Sequence, residues 1–233
     1  MEKVKLNLDR VHQTYKTRDG KKVVGVTTAL NKLDKPALLA WAWQCGVDGI
    51  DYRKVRDNAA TVGTVAHWLC ECHVKGLTPD TSDIARPTLD AAESSFLKFL
   101  EFWDGGKFKL VASEIQLVHD VLEFGGTLDI VARDAQDRLC LVDLKSSKAI
   151  YDEMSFQLAA YEVLWNDAET MMVDGAPFVR IEVGRVIERK LIVRIGKTEA
   201  ADLEIRELGN LGKHYRVFLA ALEVYKAQAA LKT

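Results

Sequence analysis

Cysteine is scarce in this chain, with four in 233 residues. Cys140 lies in an apolar, strand-like run, and Cys45, Cys70 and Cys72 lie in helical patterns. That is not the disulfide framework of a secreted domain. The first ten residues, "MEKVKLNLDR", contain no apolar core of a signal peptide, so the protein is expected to be intracellular and reduced. Long hydrophobic runs are also missing. The longest, "ALLAWAW", is far too short to span a bilayer, and no membrane partner is expected. Charge of one sign is not in excess either: 32 Lys and Arg face 34 Asp and Glu, a formal charge of −2. Any nucleic-acid partner must therefore be met by a local basic surface. Repeats and low-complexity segments are absent.

What is present suits a single globular domain with a real core: 48% hydrophobic and 28% charged residues. Residues 13–27 predict a hairpin turning at Asp19-Gly20. Pro36 opens a predicted helix of about twenty residues, because proline suits the first turn. Further helical patterns cover about 58–75, ending at Gly76, and about 88–103, ending at Gly105-Gly106. The period then changes. "FKLVASEIQLVHD", "LEFGGTLDIVARD" and "LCLVDLKS" predict three successive strands in a meander. A helix is expected at about 152–165, with a continuation to 173 left open. Strands are expected at about 178–187 and 190–195, and a helical end at about 198–231. The order predicts a mixed sheet of about five strands flanked by helices, an α/β or α+β class. The chain is expected to be one domain over 1–233. Its parts are a hairpin and helices (1–105), a sheet core (106–196) and C-terminal helices (197–233).

One strand poses a chemical problem. "LCLVDLKSSK" (139–148) is apolar enough to be buried, yet it carries Asp143 and Lys145. Side chains alternate along a strand, so these two share a face. A first connection centred between Val121 and Leu122 sets Glu114 opposite Asp129. A second centred near Gln136 sets Asp129 opposite Asp143, which requires an odd-numbered loop or a bulge. The three carboxylates would then form one row roughly 5 Å apart. So much negative charge in a dry place needs a cation, and hard oxygen ligands suit Mg²⁺ or Mn²⁺. A slipped register would instead disperse the row into solvated acids.

Two helices add polar groups. In the helix at 62–75, His67 lies opposite the stripe Val62, Val65, Leu69 and Cys72; it either meets solvent or faces a cleft. In the helix at 152–165, Gln157 falls within an apolar arc with Met154, Ala160, Tyr161 and Leu164. Its amide then needs buried partners, structural ones or those of a polar site beneath the helix. Tyr161, one turn on, faces the same way.

In order, these segments read "GTVAH" (63–67), "SEIQL" (113–117), "GGTLD" (125–129), "DLK" (143–145) and "QLAAY" (157–161). The ordered set resembles the PD-(D/E)XK nuclease superfamily, in its branch of RecB-type domains and phage-type exonucleases, which includes the mitochondrial genome-maintenance exonuclease. Residues 26–42 also look like the N-terminal part of phage-type members. The resemblance implies a restriction-endonuclease-like fold and a metal-dependent DNA exonuclease of phage or bacterial recombination, replication or repair. It implies catalytic roles for Asp129, Asp143, Lys145, Gln157 and Tyr161. It implies metal ligation by His67, Asp129, Asp143 and the Leu144 carbonyl, with Glu114 as a second-site or water-mediated ligand. One or two Mg²⁺ or Mn²⁺ ions, single-stranded DNA or duplex ends, a recombination or replication protein partner, and the cytoplasm of a bacterial or phage-infected cell belong to the same expectation. Some relatives hold an iron–sulfur cluster; here no cysteine follows Cys140, so none is expected.

Other signals carry less. His67, Cys70, Cys72 and His73 do not make a zinc site, because Cys72 points away from His67 on a helix. "IGKT" (195–198) lacks the upstream glycine of a phosphate loop. Trp41, Trp43, Arg53 and Arg56 either stack on and hold a single strand or, for the tryptophans, fill a core. "ERK" (188–190) reads most simply as a turn between strands, with a phosphate contact as the alternative. Two rival functions stand beside the exonuclease: a structure-specific or restriction-like endonuclease, and a non-catalytic nucleic-acid-binding module on the same fold.

Overall fold

The computed structural model describes residues 3–6, 14–173, 175–179, 186–197 and 202–232. The hairpin forms where the sequence predicts it: β2 (Tyr15–Lys16) pairs with β3 (Lys22–Gly25) across Asp19-Gly20. A short helix, α1 (Val26–Leu30), follows. The helix expected from Pro36 stops early. α2 (Pro36–Val47) is closed by Gly49, which adopts φ +69°, and by a 2.8 Å bond from the Ile50 amide to the Cys45 carbonyl. α3 (Tyr52–Val74) then opens with the Asp51 carboxylate capping the Arg53 amide at 3.0 Å. Val47, Ile50, Tyr52 and Val55 carry apolar character straight across the break, so periodicity alone runs through it. α4 (Arg86–Gly105) agrees with expectation.

Three strands of the meander form as predicted: β5 (Lys109–His119), β6 (Phe124–Arg133) and β7 (Leu139–Lys145). The sheet around them is larger than the expected five strands. Its order is β11 (Leu203–Leu208), β10 (Arg189–Ile195), β7, β6, β5, β8 (Thr170–Val173), β9 (Ala176–Val179), with β3 and β2 branching from β6. Apart from it, β1 (Lys3–Lys5) pairs in parallel with β4 (Thr78–Asp80). Two expectations change and one open boundary is fixed. α5 (Asp152–Asp167) stops before 173, and β8 takes those residues. β11 occupies part of the expected C-terminal helices, so only α6 (Gly212–Ala230) is helical there. Of the strand expected at 178–187, residues 180–185 lie outside the described residues, and 178–179 end β9. Glu188 precedes β10, but Arg189 and Lys190 already belong to it, so "ERK" is a strand entry rather than a turn.

Helices cover both faces. Leu117, Leu128, Leu139, Leu141 and Ile192 pack with Leu158 and Leu164 of α5 and Phe218 of α6. On the other face Ile130, Cys140, Val142, Leu191 and Val193 meet Phe99, Phe102 and Trp103 of α4. Strand β7 feeds both cores by alternation, which is why it reads as nearly continuous apolar sequence. Each large side chain so buried contributes about 1.5–3 kcal/mol. The C-terminal half of α3 rests on α4 through Val65, Trp68, Leu69 and Leu89.

The feature that makes room for a site is a fork. β5 covers one edge of β6 over most of its length. The other edge is shared. β7 pairs antiparallel with Ile130–Arg133, and β3 pairs in parallel with Phe124 and Gly125. Residues 126–129 belong to neither ladder, and β7 leaves β6 there to continue alongside β10.

Candidate active site

Asp129 stands in that fork. The predicted registers hold around it. Ser113 pairs with Ile130 and Ile115 with Leu128, which brackets Glu114 and Asp129, and Ile130 pairs with Val142. The loop from 134 to 138 is odd-numbered, as that register requires. The regular row of three acids, however, is interrupted. Glu114 holds a left-handed backbone, φ +52°, in the middle of β5. Asp129 does not continue the β6–β7 ladder; its Oδ2 instead accepts the Leu144 amide at 2.8 Å. That carboxylate satisfies a main-chain donor at the point where the strands part. The Leu144 side chain turns away into the α4 core.

Asp143 and Lys145 share a face and form an ion pair, Nζ to Oδ2 2.6 Å, with the Asp143 side chain only 1% exposed. α5 passes over them. Gln157 Nε2 lies 2.9 Å from the Tyr161 hydroxyl and 3.4 Å from Asp143 Oδ1, so the amide in the apolar arc finds polar partners beneath its helix. The two glycines of "GGTLD" explain how the rings fit. A Cβ on Gly126 would stand 2.6 Å from the Tyr161 ring, and one on Gly125 would stand 2.5 Å from Tyr15. Tyr15 was not singled out by the sequence. Its hydroxyl meets Thr127 Oγ1 at 2.9 Å, a contact made across the fold that no local pattern announces. Thr127, two residues before Asp129, was legible by alternation.

α3 supplies the opposite wall of a cleft of about 510 Å³. Thr64, His67 and Glu71 face Glu114, Thr127, Asp129 and Ser146 across it. His67 therefore faces a cleft, with its side chain 29% exposed and Nδ1 3.9 Å from Asp129 Oδ2. Trp43, in contrast, fills no core: it is 68% exposed on α2, and Trp41 packs edge-on against Tyr52. Arg53 and Arg56 pair with Asp51 and Asp57. Arg189 is taken by Asp134 and Glu207.

The charges are poorly compensated. Burial raises the Asp129 carboxyl above its ordinary range against the pull of Lys145 and the Leu144 amide. Burial likewise raises Asp143, to about 6, with the Asp129 charge adding to it and Lys145 opposing. Burial disfavours the Lys145 ammonium, but Asp143 and Asp129 together outweigh it and hold the group charged. His67 is pushed down to about 4 by burial and then by Lys145, so its imidazole is neutral near pH 7. Two carboxylates, one ammonium and a neutral imidazole make a pocket that gains from a further cation.

Among the described residues, no group of three or more His, Cys, Asp and Glu side chains is placed so that it could hold a metal ion. The donor chemistry nevertheless fits a hard divalent ion. Asp143 Oδ2 is buried and its partner is the Lys145 ammonium, and two neighbouring carboxylates hold protons more tightly than normal. Glu114 borders the same cleft, and its charge acts on the Tyr15 phenol.

No family model matches the chain, and no curated protein does. Among solved structures, the one described as "Crystal structure of SSO0001" is 12% identical with a TM-score of 0.34. The alignment covers 60% of this chain and 59% of that one. A similarity of this size carries no argument about fold or activity. Among the described residues, no helix is long and apolar enough to cross a membrane.

Proposed function

We propose that this chain is a Mg²⁺- or Mn²⁺-dependent deoxyribonuclease, an exonuclease acting on single-stranded DNA or duplex ends in recombination, replication or repair. The observation that carries the proposal is the meeting of Asp129, Asp143 and Lys145 in the fork of the sheet, beneath Gln157 and Tyr161 and facing His67. The ordered motifs that resemble the PD-(D/E)XK nucleases support it, and their RecB-type branch favours exonuclease over endonuclease.

Phosphodiester hydrolysis needs a nucleophilic water and stabilisation of charge on a pentavalent phosphorus. Lys145, kept charged by its two acidic neighbours, can orient that water and meet the developing negative charge. Gln157 bridges Tyr161 and Asp143 and so steadies the carboxylate from above. His67 offers a lone pair rather than a positive charge. A divalent ion held by Asp129 and Asp143, with His67, the Leu144 carbonyl and Glu114 as further donors, would act as Lewis acid and activate water.

The test is incubation with Mg²⁺ or Mn²⁺ and DNA labelled at either end, single- and double-stranded, following product lengths with time. Metal-stimulated shortening from an end, lost in Asp143→Asn and Lys145→Ala, is expected. Cleavage of circular single-stranded DNA would reassign the protein as an endonuclease. Hydrolysis indifferent to both substitutions would overturn the mechanism, and binding without any hydrolysis would leave a nucleic-acid-binding module.

A further inference from the structure

We infer that Lys197 is a second phosphate-binding cation of this cleft, holding the DNA backbone beside the phosphate that is cut; the inference rests on the nuclease reading above. Lys197 belongs to the "IGKT" segment, which is no phosphate loop. Its place in the fold is nonetheless close to the chemistry. β10 runs parallel to β7 with Arg194 beside Lys145, so both strands deliver their C-terminal ends to the same edge of the sheet. Lys197 lies just beyond the end of β10. Its Nζ donates to the Ala59 carbonyl of α3 at 2.5 Å. The next residue, Ala60, lines the cleft together with Thr64, His67 and Asp129.

The partners of the neighbouring cations set Lys197 apart. Lys5 pairs with Asp83, Lys75 with Glu71 and Lys145 with Asp143. Among the described residues Lys197 meets no carboxylate and rests on a main-chain carbonyl. Burial lowers its pKa, and its charge reaches His67, whose own pKa it helps to depress. Among the described residues this half-buried ammonium has only a neutral acceptor, and so is under-compensated. A phosphate oxygen supplies the missing charge, and a lysine meets it as a point charge. With Lys145 at one phosphate and Lys197 at another, the cleft grips at least two consecutive backbone positions.

Three substitutions separate this role from a structural latch on α3. Lys197→Gln keeps a donor for the Ala59 carbonyl without the charge; Lys197→Arg keeps the charge; Lys197→Ala removes both. With end-labelled oligonucleotide and Mn²⁺, Lys197→Ala and Lys197→Gln should raise KM about tenfold and leave kcat within about twofold, while Lys197→Arg restores most of the loss. Fluorescence-anisotropy binding to the non-cleaving Asp143→Asn protein should show a salt dependence shallower by about 0.7 in log–log slope when Lys197→Ala is added. Unchanged KM and slope overturn the inference, as does rescue by Gln and not by Arg. If the wild-type protein cleaves no DNA, the nuclease reading fails. The binding slope then still decides Lys197: a shallower slope upholds a phosphate contact and an unchanged one rejects it.

Discussion

Asp134 and Asp143 stand at opposite ends of the β6–β7 pair. Their side chains are almost equally sealed, 3% and 1% exposed. Burial alone would raise both carboxyls. Asp134 nevertheless falls to about 2, because donors outweigh the burial: Arg138 through its guanidinium and amide, Arg189, and the Gln136 amide. Asp143 rises to about 6, because it has one ammonium, one long amide contact and a second carboxylate nearby. Both side chains are closed off from solvent, but Asp143 lies deeper, stands beside a second carboxylate and has fewer donors. A fully donated carboxylate is a structural tie. An under-donated one is held at a cost to the fold, the condition expected where a ligand completes the set.

The sharpest way to test this contrast is to neutralise each acid in turn. Asp143→Asn should lower metal-dependent cleavage at least about 10²–10³-fold and cost less urea stability than the Asp134 change, because Asp129 still holds the Lys145 ammonium. Asp134→Asn should cost about 3 kcal/mol in urea unfolding, since two arginines lose a buried partner, and spare the activity of the folded fraction. Equal losses of stability in the two variants would erase the distinction.

Acid titration of stability, without metal, gives an effect of order 2 kcal/mol and tests the signs. Asp134 has a depressed pKa, so its contribution is complete above the ordinary carboxylate value near 4 and is lost as pH falls toward 2. Asp143 has a raised pKa, so the folded state holds the proton more tightly and stability falls as pH rises from about 4 to 6. His67, depressed to about 4, acts in nearly the same window with the opposite sign: stability is lost as pH drops from about 6.5 to 4. The difference between wild type and Asp143→Asn reports the carboxylate together with its coupling to Lys145, Asp129 and His67. Subtracting the variant's curve should leave a descending limb between pH 4 and 6, and adding Mn²⁺ should flatten it. A curve that rises instead refutes the assignment.

The smallest expected effect concerns Glu114. Its left-handed backbone within a strand is strained for a residue with a Cβ. Glu114→Gly should raise stability by about 0.5 kcal/mol, measured by thermal unfolding, while lowering cleavage. A destabilised variant would show that the carboxylate does more for the fold than its backbone costs.

Much of the site was legible because it is built from local pairings. The centres of two short connections place Ser113, Ile130 and Val142 in register, and alternation places Asp143 with Lys145. Gln157 and Tyr161 are one helical turn apart and meet directly. What stayed hidden depends on distant chain. Tyr15 reaches Thr127 from the N-terminal hairpin, β3 takes half an edge of β6, and Lys197 reaches back to α3. Strand β8 was hidden behind an apolar run compatible with helix, and β11 behind a charged one.

By itself, the sequence determined which acids and which lysine share a strand face, since a two-residue period and a short turn leave little freedom. Only the tertiary structure decided that β6 would lack a partner on one edge at 126–129 and that an Asp129 oxygen would accept the Leu144 amide. It also decided that α3 would close the other side of the cleft. Those outcomes come from competition among long-range partners for one strand edge, and no local period encodes which of them wins.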